Sequence, residues 1–190
     1  MATPAPGQMS NCPQGMAREA SVDFVVYACK GGTPETTMAQ IATTLDMLES
    51  LYGPMTDYMG KKAPQPDPDN SAEDGPSRID FYLLNNDQQL FRAGPSCQGG
   101  CTAAFETEND AVTGTTSSAF VLIKRASFAD PLYFKSALAH EFFHVLQDAY
   151  NNYSYSDCDD FWFGEASAVW AEWHFVPEAA TRAVYQYFGD

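Results

Sequence analysis

Two of the three histidines in this 190-residue chain stand four positions apart, in Ala139-His140-Glu141-Phe142-Phe143-His144. The pattern is HExxH, which chance would produce in about two of every thousand chains of this composition. Its spacing answers a chemical need. Positions i and i+4 of an α-helix lie one turn apart on one face, so both imidazoles can reach a single metal ion. Glu141 lies beside that face without being drawn into the coordination sphere, and there it can take a proton from a metal-activated water. His140 and His144 are therefore candidate metal ligands and Glu141 a candidate general base.

The surrounding residues predict the helix independently of the motif. Asp130 is a suitable N-cap and Pro131 a suitable first helical residue, while Leu138, Phe142, Val145 and Ala149 recur at helical spacing. Asp148 falls one turn past His144 on the histidine face, a candidate to support a ligand from behind. A catalytic metal needs a third protein ligand and one position left open. The stretch from Phe161 to Trp173 (FWFGEASAVWAEW) reads as a second helix beginning near Asp159 or Asp160. Glu165 lies in its first turn, where the helix dipole favours a carboxylate. Glu172, seven residues on and on nearly the same face, is the rival ligand. Both acids are set among apolar neighbours, where a metal is a good partner for a buried carboxylate.

The arrangement HExxH-x20-E, with the acid in an aromatic–Gly–Glu–Ala context, resembles the gluzincin metallopeptidases, the thermolysin-like branch of the zincins. The Phe161–Trp173 segment is similar to the glutamate helix of secreted bacterial members. The resemblance covers residues 119–175 and the earlier chain only in outline. It implies one zinc ion per chain, held by His140, His144 and Glu165, with Glu141 as general base. It also implies a zincin-like α+β domain, in which a mixed, mainly antiparallel sheet packs on a backing helix, an active-site helix and a glutamate helix. The implied activity is zinc-dependent hydrolysis of peptide bonds in a peptide or protein substrate. An endopeptidase is expected, because no motif for gripping a free amino terminus is present. Ala119–Lys124 would be the sheet edge that pairs with extended substrate.

The chain departs from the family pattern at Val169, where thermolysin-like enzymes carry an Asp, so orientation of the histidines falls to Glu172 or Asp148. The His or Tyr that steadies the tetrahedral intermediate would be His174, Tyr185 or Tyr187. No third His lies about six residues past the motif, which argues against a metzincin. The alternative reading is a non-catalytic zincin-fold binding or interaction domain, against which the intact Glu141 argues. In a latent enzyme, residues 1–20 would cover the cleft with Cys12 masking the zinc.

The elements that must hold these groups are also foreshadowed. Val22–Tyr27, Ile79–Leu84 and Ala119–Ile123 read as strands. A helix is expected from Thr33-Pro34, with Ile41, Leu45, Leu48 and Leu51 as its apolar stripe and Gly53-Pro54 ending or bending it. Residues 61–77 are proline-rich and acidic and read as a solvated loop, and 92–118 read as mostly loop. Residues 1–20 are expected to be an irregular N-terminal arm and 21–190 one catalytic domain with a minimal or truncated C-terminal part.

Composition sets the outer limits. Apolar residues make up 45%, with 13 Phe and 10 Tyr, enough to predict a packed core. No apolar run reaches the length of a membrane span. A net charge of −15 would be repelled by phosphate backbones, which excludes a nucleic-acid partner. Five cysteines favour an oxidising compartment, and Cys97-Gln-Gly-Gly-Cys101 is spaced to close a short disulfide loop. With no apolar leader at the start, the expectation is a secreted or periplasmic protein whose leader has been removed.

Overall fold

The computed structural model describes residues 15–30, 34–64, 78–84, 103–108, 118–150 and 158–179. They form an α+β unit with strands β1 (Met16–Ala20), β2 (Phe24–Cys29), β3 (Ile79–Leu84), β4 (Ala103–Glu108) and β5 (Ser118–Lys124). Its helices are α1 (Pro34–Tyr58), α2 (Pro131–Tyr150) and α3 (Cys158–Phe175). The strands join in one mixed sheet of order β1-β2-β3-β5-β4. The expected excess of antiparallel pairing is absent: β2–β3 and β3–β5 are parallel, β1–β2 and β4–β5 antiparallel. The reason lies in the connection. Parallel neighbours need a crossover, and α1 supplies it between β2 and β3.

The internal strand β2 (FVVYAC) is buried along its whole length, as its unbroken apolar run requires of a strand covered on both faces. Phe24, Val26 and Ala28 join Phe81, Leu83, Val121 and Ile123 in one core with Ile41, Leu48 and Met55 of α1 and Leu138 and Phe142 of α2. The Phe24 ring is its hub, packing edge-on against Phe81, Phe142 and Tyr52 at centroid distances of 5.4–5.7 Å. Arg125 ties the layers together. Its guanidinium donates to the Cys29 carbonyl at 2.9 Å and to Gln40 Oε1 at 2.8 Å, so the end of β2, the start of α1 and the turn leading into α2 share one cation.

Several elements differ from expectation. Met16–Ala20 is a strand, not part of an irregular arm. Its side chains are mostly exposed, so it carries no apolar alternation, and it is held by its antiparallel register with β2. Ala103–Glu108 is likewise a strand within the segment read as loop, paired with β5. Because β4 stands outside β5, the Ala119–Lys124 strand is internal and β4 is the edge on that side of the sheet. Val22 is 80% exposed in the β1–β2 turn, and β2 starts two residues later than expected. Cys12, Cys97, Cys101, Tyr185, Tyr187 and residues 65–77 lie outside the described residues. Among the described residues no helix is long and apolar enough to cross a membrane.

Helix α1 also runs through Gly53-Pro54 to Tyr58. An internal proline costs about 3 kcal/mol, and the full burial of the adjacent Met55 offsets it. The stop is one turn later. Gly60 adopts φ 82°, Lys61 N–H donates to the Thr56 carbonyl at 2.7 Å, and Gly60 N–H donates to the Asp57 carbonyl at 3.2 Å. This is a Schellman close, which needs a left-handed residue. A Cβ on Gly60 would lie 3.2 Å from the Tyr150 hydroxyl, which donates to the Met59 carbonyl.

Gly60→Ala is therefore expected to lower the melting temperature by about 2–4 °C, the equivalent of roughly 1 kcal/mol in a chain of this size. Gly53→Ala meets nothing within 4 Å beyond its own chain neighbours, but Pro54 follows it and disfavours helical backbone in a preceding residue that carries a Cβ. The gain in helix propensity is thereby offset, and little change in melting temperature is expected. Thermal melts of the two variants check the assignment, and equal shifts would contradict it.

Candidate metal centre

Helix α2 begins as its sequence predicts: Asp130 caps it, accepting from Tyr133 N–H at 3.2 Å, with Pro131 first in the helix. Its buried stripe turns Phe142 into the core against Phe24 and leaves His140 and His144 on the face toward α3. Helix α3 packs chiefly on α2, and the fully buried Ala168 and Ala171 allow a close approach.

This packing brings His140, His144 and Glu165 together. His140 Nε2 lies 3.1 Å from His144 Nε2 and 3.3 Å from Glu165 Oε2, and His144 Nε2 lies 3.5 Å from Glu165 Oε1. Donors bound at about 2.0–2.1 Å around a tetrahedral ion stand about 3.3 Å apart, so the spacing fits one ion held by all three. Among the described residues this is the one group of three or more such side chains that could hold a metal ion. The Glu165 side chain is 41% exposed while His144 is 3% exposed, so the cluster is closed behind and open on the carboxylate side.

Each imidazole is also engaged at its other nitrogen. His140 Nδ1 lies 2.7 Å from Glu172 Oε1, whose other oxygen accepts from Ser136 Oγ at 2.6 Å. His144 Nδ1 lies 2.8 Å from Gln147 Oε1, and Gln147 Nε2 donates to Ser167 Oγ at 2.7 Å. Glu172 thus stands behind His140, not among the three converging donors. Asp148 is fully buried on α2, but the Nδ1 contact of His144 goes to Gln147. His174 is exposed and stacks on Trp170 at 4.7 Å, beside Tyr58. Nine residues past Glu165, it occupies the opposite face of α3 from the cluster.

Sequence reasoning missed Gln147, Ser136 and Ser167. The signal was present for two of them. Gln147 and Ser136 are polar residues about one helical turn from a histidine, a position from which a side chain reaches an imidazole, as Gln147 does, or the group that supports one, as Ser136 does.

The electrostatics follow from burying this many polar groups together. Burial works against a charged His140, but hydrogen bonds to Glu165 and Glu172 and the Glu141 charge outweigh it and push the imidazole up to about 10. Burial, then the charge on His140, pushes His144 down to about 4. Burial would raise Glu165, yet the hydrogen bond from His140 and the charges of both imidazoles hold it below the usual carboxylate range. Burial pushes Glu141 up to about 7, near the value that suits a general base at neutral pH. No protein-family model, curated protein or solved structure matches the chain.

Two outcomes follow. In the metal-free protein His140 keeps its proton up to about pH 10, and ligation requires losing it. Zinc binding at pH 7.5 is expected to release about one proton per ion, measured by calorimetry in buffers of different ionisation enthalpy. Release of none would contradict ligation by His140. For Glu141 the raised value means the folded state holds the proton more tightly than the unfolded state. Its contribution to stability therefore falls as pH rises from about 4.5 to about 7. In chelator, Glu141→Gln is expected to raise the melting temperature at pH 8 by about 2–4 °C or more and to change little at pH 4. A lower melting temperature at pH 8 would contradict the burial of an ionised Glu141.

Proposed function

We propose that this α+β chain is a zincin-like zinc-dependent peptidase, acting as an endopeptidase in a secreted or periplasmic setting. The observation that carries the reading is the set of three donors at 3.1–3.5 Å, converging beside a buried glutamate whose pKa is pushed up to about 7. Two imidazoles and a carboxylate are a donor set zinc accepts at catalytic sites, and the mutual spacing favours a tetrahedral ion. The five cysteines support an oxidising compartment.

An ion held by His140, His144 and Glu165 would supply Lewis acidity toward a scissile carbonyl and toward water. The remaining roles belong to the chain. Glu141 follows His140 on α2 and takes the proton of the attacking water, then hands it to the leaving amine. Its raised pKa makes both transfers accessible near neutral pH. Glu172 and Gln147 hold the two imidazole rings in place through their Nδ1 atoms. The edge strand β4, packed near α2, offers backbone groups with which an extended peptide can pair, and this supports cleavage within a chain.

The test is digestion of a diverse peptide mixture, read by mass spectrometry, comparing the zinc-loaded protein with Glu141→Gln. The substitution keeps the three ligands and removes the base, so cleavage is expected to fall by about 10²–10⁴-fold with zinc content unchanged. Cuts of equal rate by both proteins, or cuts by neither, would overturn the reading.

A further inference from the structure

A chain of hydrogen bonds leads from His144 to the backbone of α3, and its direction is fixed at the far end. Ser167 Oγ lies 2.7 Å from the Phe163 carbonyl and 2.9 Å from the Gly164 carbonyl. A carbonyl only accepts, so the Ser167 proton is committed to α3 and its oxygen must receive from the next group. That group is the Gln147 side-chain amide, 2.7 Å away. The same end of the amide lies 3.5 Å from the Gly164 carbonyl. An amide oxygen in this position would face the Gly164 oxygen without a proton between them, so the NH2 end belongs there. Gln147 Oε1 is thereby turned to His144 Nδ1 at 2.8 Å, and as an acceptor it requires an N–H from the ring.

We infer that Gln147 is a positioning residue for His144, with Ser167 setting which way its amide points, so that His144 is held as the Nδ1–H tautomer. Its Nε2 lone pair then faces His140 and Glu165. The matching arrangement at His140 uses a carboxylate, Glu172, which accepts in either orientation and needs no such device. An amide has two unlike ends, and Ser167 is what makes the acceptor end the one His144 meets. A metal ligand must present a lone pair, so the network sorts the ring into its ligating form before any ion arrives. The consequence for metal affinity rests on the metal-centre reading; the tautomer does not.

Two measurements on the full-length chain test this. The first is long-range proton–nitrogen correlation of the metal-free wild type at neutral pH. A His144 ring protonated at Nδ1 and bare at Nε2 is expected, and the reverse tautomer would overturn the inference. The second is Zn2+ affinity by competition with a chromophoric chelator. Gln147→Met fills the same space without an acceptor and is expected to weaken binding by about 10–100-fold. Ser167→Ala is expected to act in the same direction but less, because the Gly164 carbonyl still faces the amide. Gln147→Glu retains an acceptor and is expected to restore affinity to within about threefold of wild type. A merely structural role predicts instead that melting temperatures fall while affinity does not, and wild-type affinity in Gln147→Met would overturn the inference. A wild type that binds no Zn2+ would sink the metal-centre reading, and the tautomer would still decide the role of Gln147.

Discussion

Two imidazoles one helical turn apart converge at Nε2 only if each Nδ1 has an acceptor behind it, and much of the molecule is arranged around that requirement. The acceptors sit in an apolar helix pair, where an unpaired polar group costs about 1–3 kcal/mol. Glu172 therefore comes with Ser136 on its second oxygen, and Gln147 with Ser167 on its amide. Helix α3 is fixed in rotation by the same need. Glu165 and Glu172 are two turns apart, about 10 Å along the axis and nearly in line, so one face of α3 supplies both a converging donor and a supporting carboxylate. Ala168 and Ala171 carry almost no side chain between them, which lets that face come close enough.

The opposite side of α2 is anchored by the residues inside the motif. Phe142 lies between the two histidines in sequence but on the other side of the helix, 5.4 Å from the Phe24 ring and 5.9 Å from Tyr52. Phe143 is turned toward Trp170 of α3. The polar face is held by hydrogen bonds and the apolar face by packed rings, so the histidine positions inherit the rigidity of the sheet core. Arg125 adds a fixed starting point for α2 by joining the preceding turn to β2 and α1.

The parts of this arrangement that were legible in the sequence are those encoded by local period and local chemistry. The apolar stripe of α1, the Asp130-Pro131 start of α2 and the unbroken apolar run of β2 each follow from residues within a few positions of one another. What escaped depends on distant partners. The strand Met16–Ala20 has no apolar alternation because its partner β2 holds it through backbone hydrogen bonds. Strand β4 joins the sheet from a polar stretch by pairing with β5, and that moves the sheet edge. Gly53-Pro54 carries a strong stop signal, overruled by the burial of Met55 and displaced to Gly60. In the site, the spacing of His140 and His144 was informative because one helix carries both. The division of labour between Glu165 and Glu172 was not, because it depends on how α3 rotates against α2. Gln147 was missed because a glutamine on a helix is usually solvated.

The account stands on one ion being shared by three side chains, and the most direct measurement is an anomalous diffraction map at the zinc edge from crystals grown with one equivalent of Zn2+. It predicts a single peak within about 2.0–2.2 Å of His140 Nε2, His144 Nε2 and a Glu165 oxygen, with Glu172 still on His140 Nδ1. A peak coordinated by Glu172 in place of Glu165, or no peak between the two histidines, would contradict it.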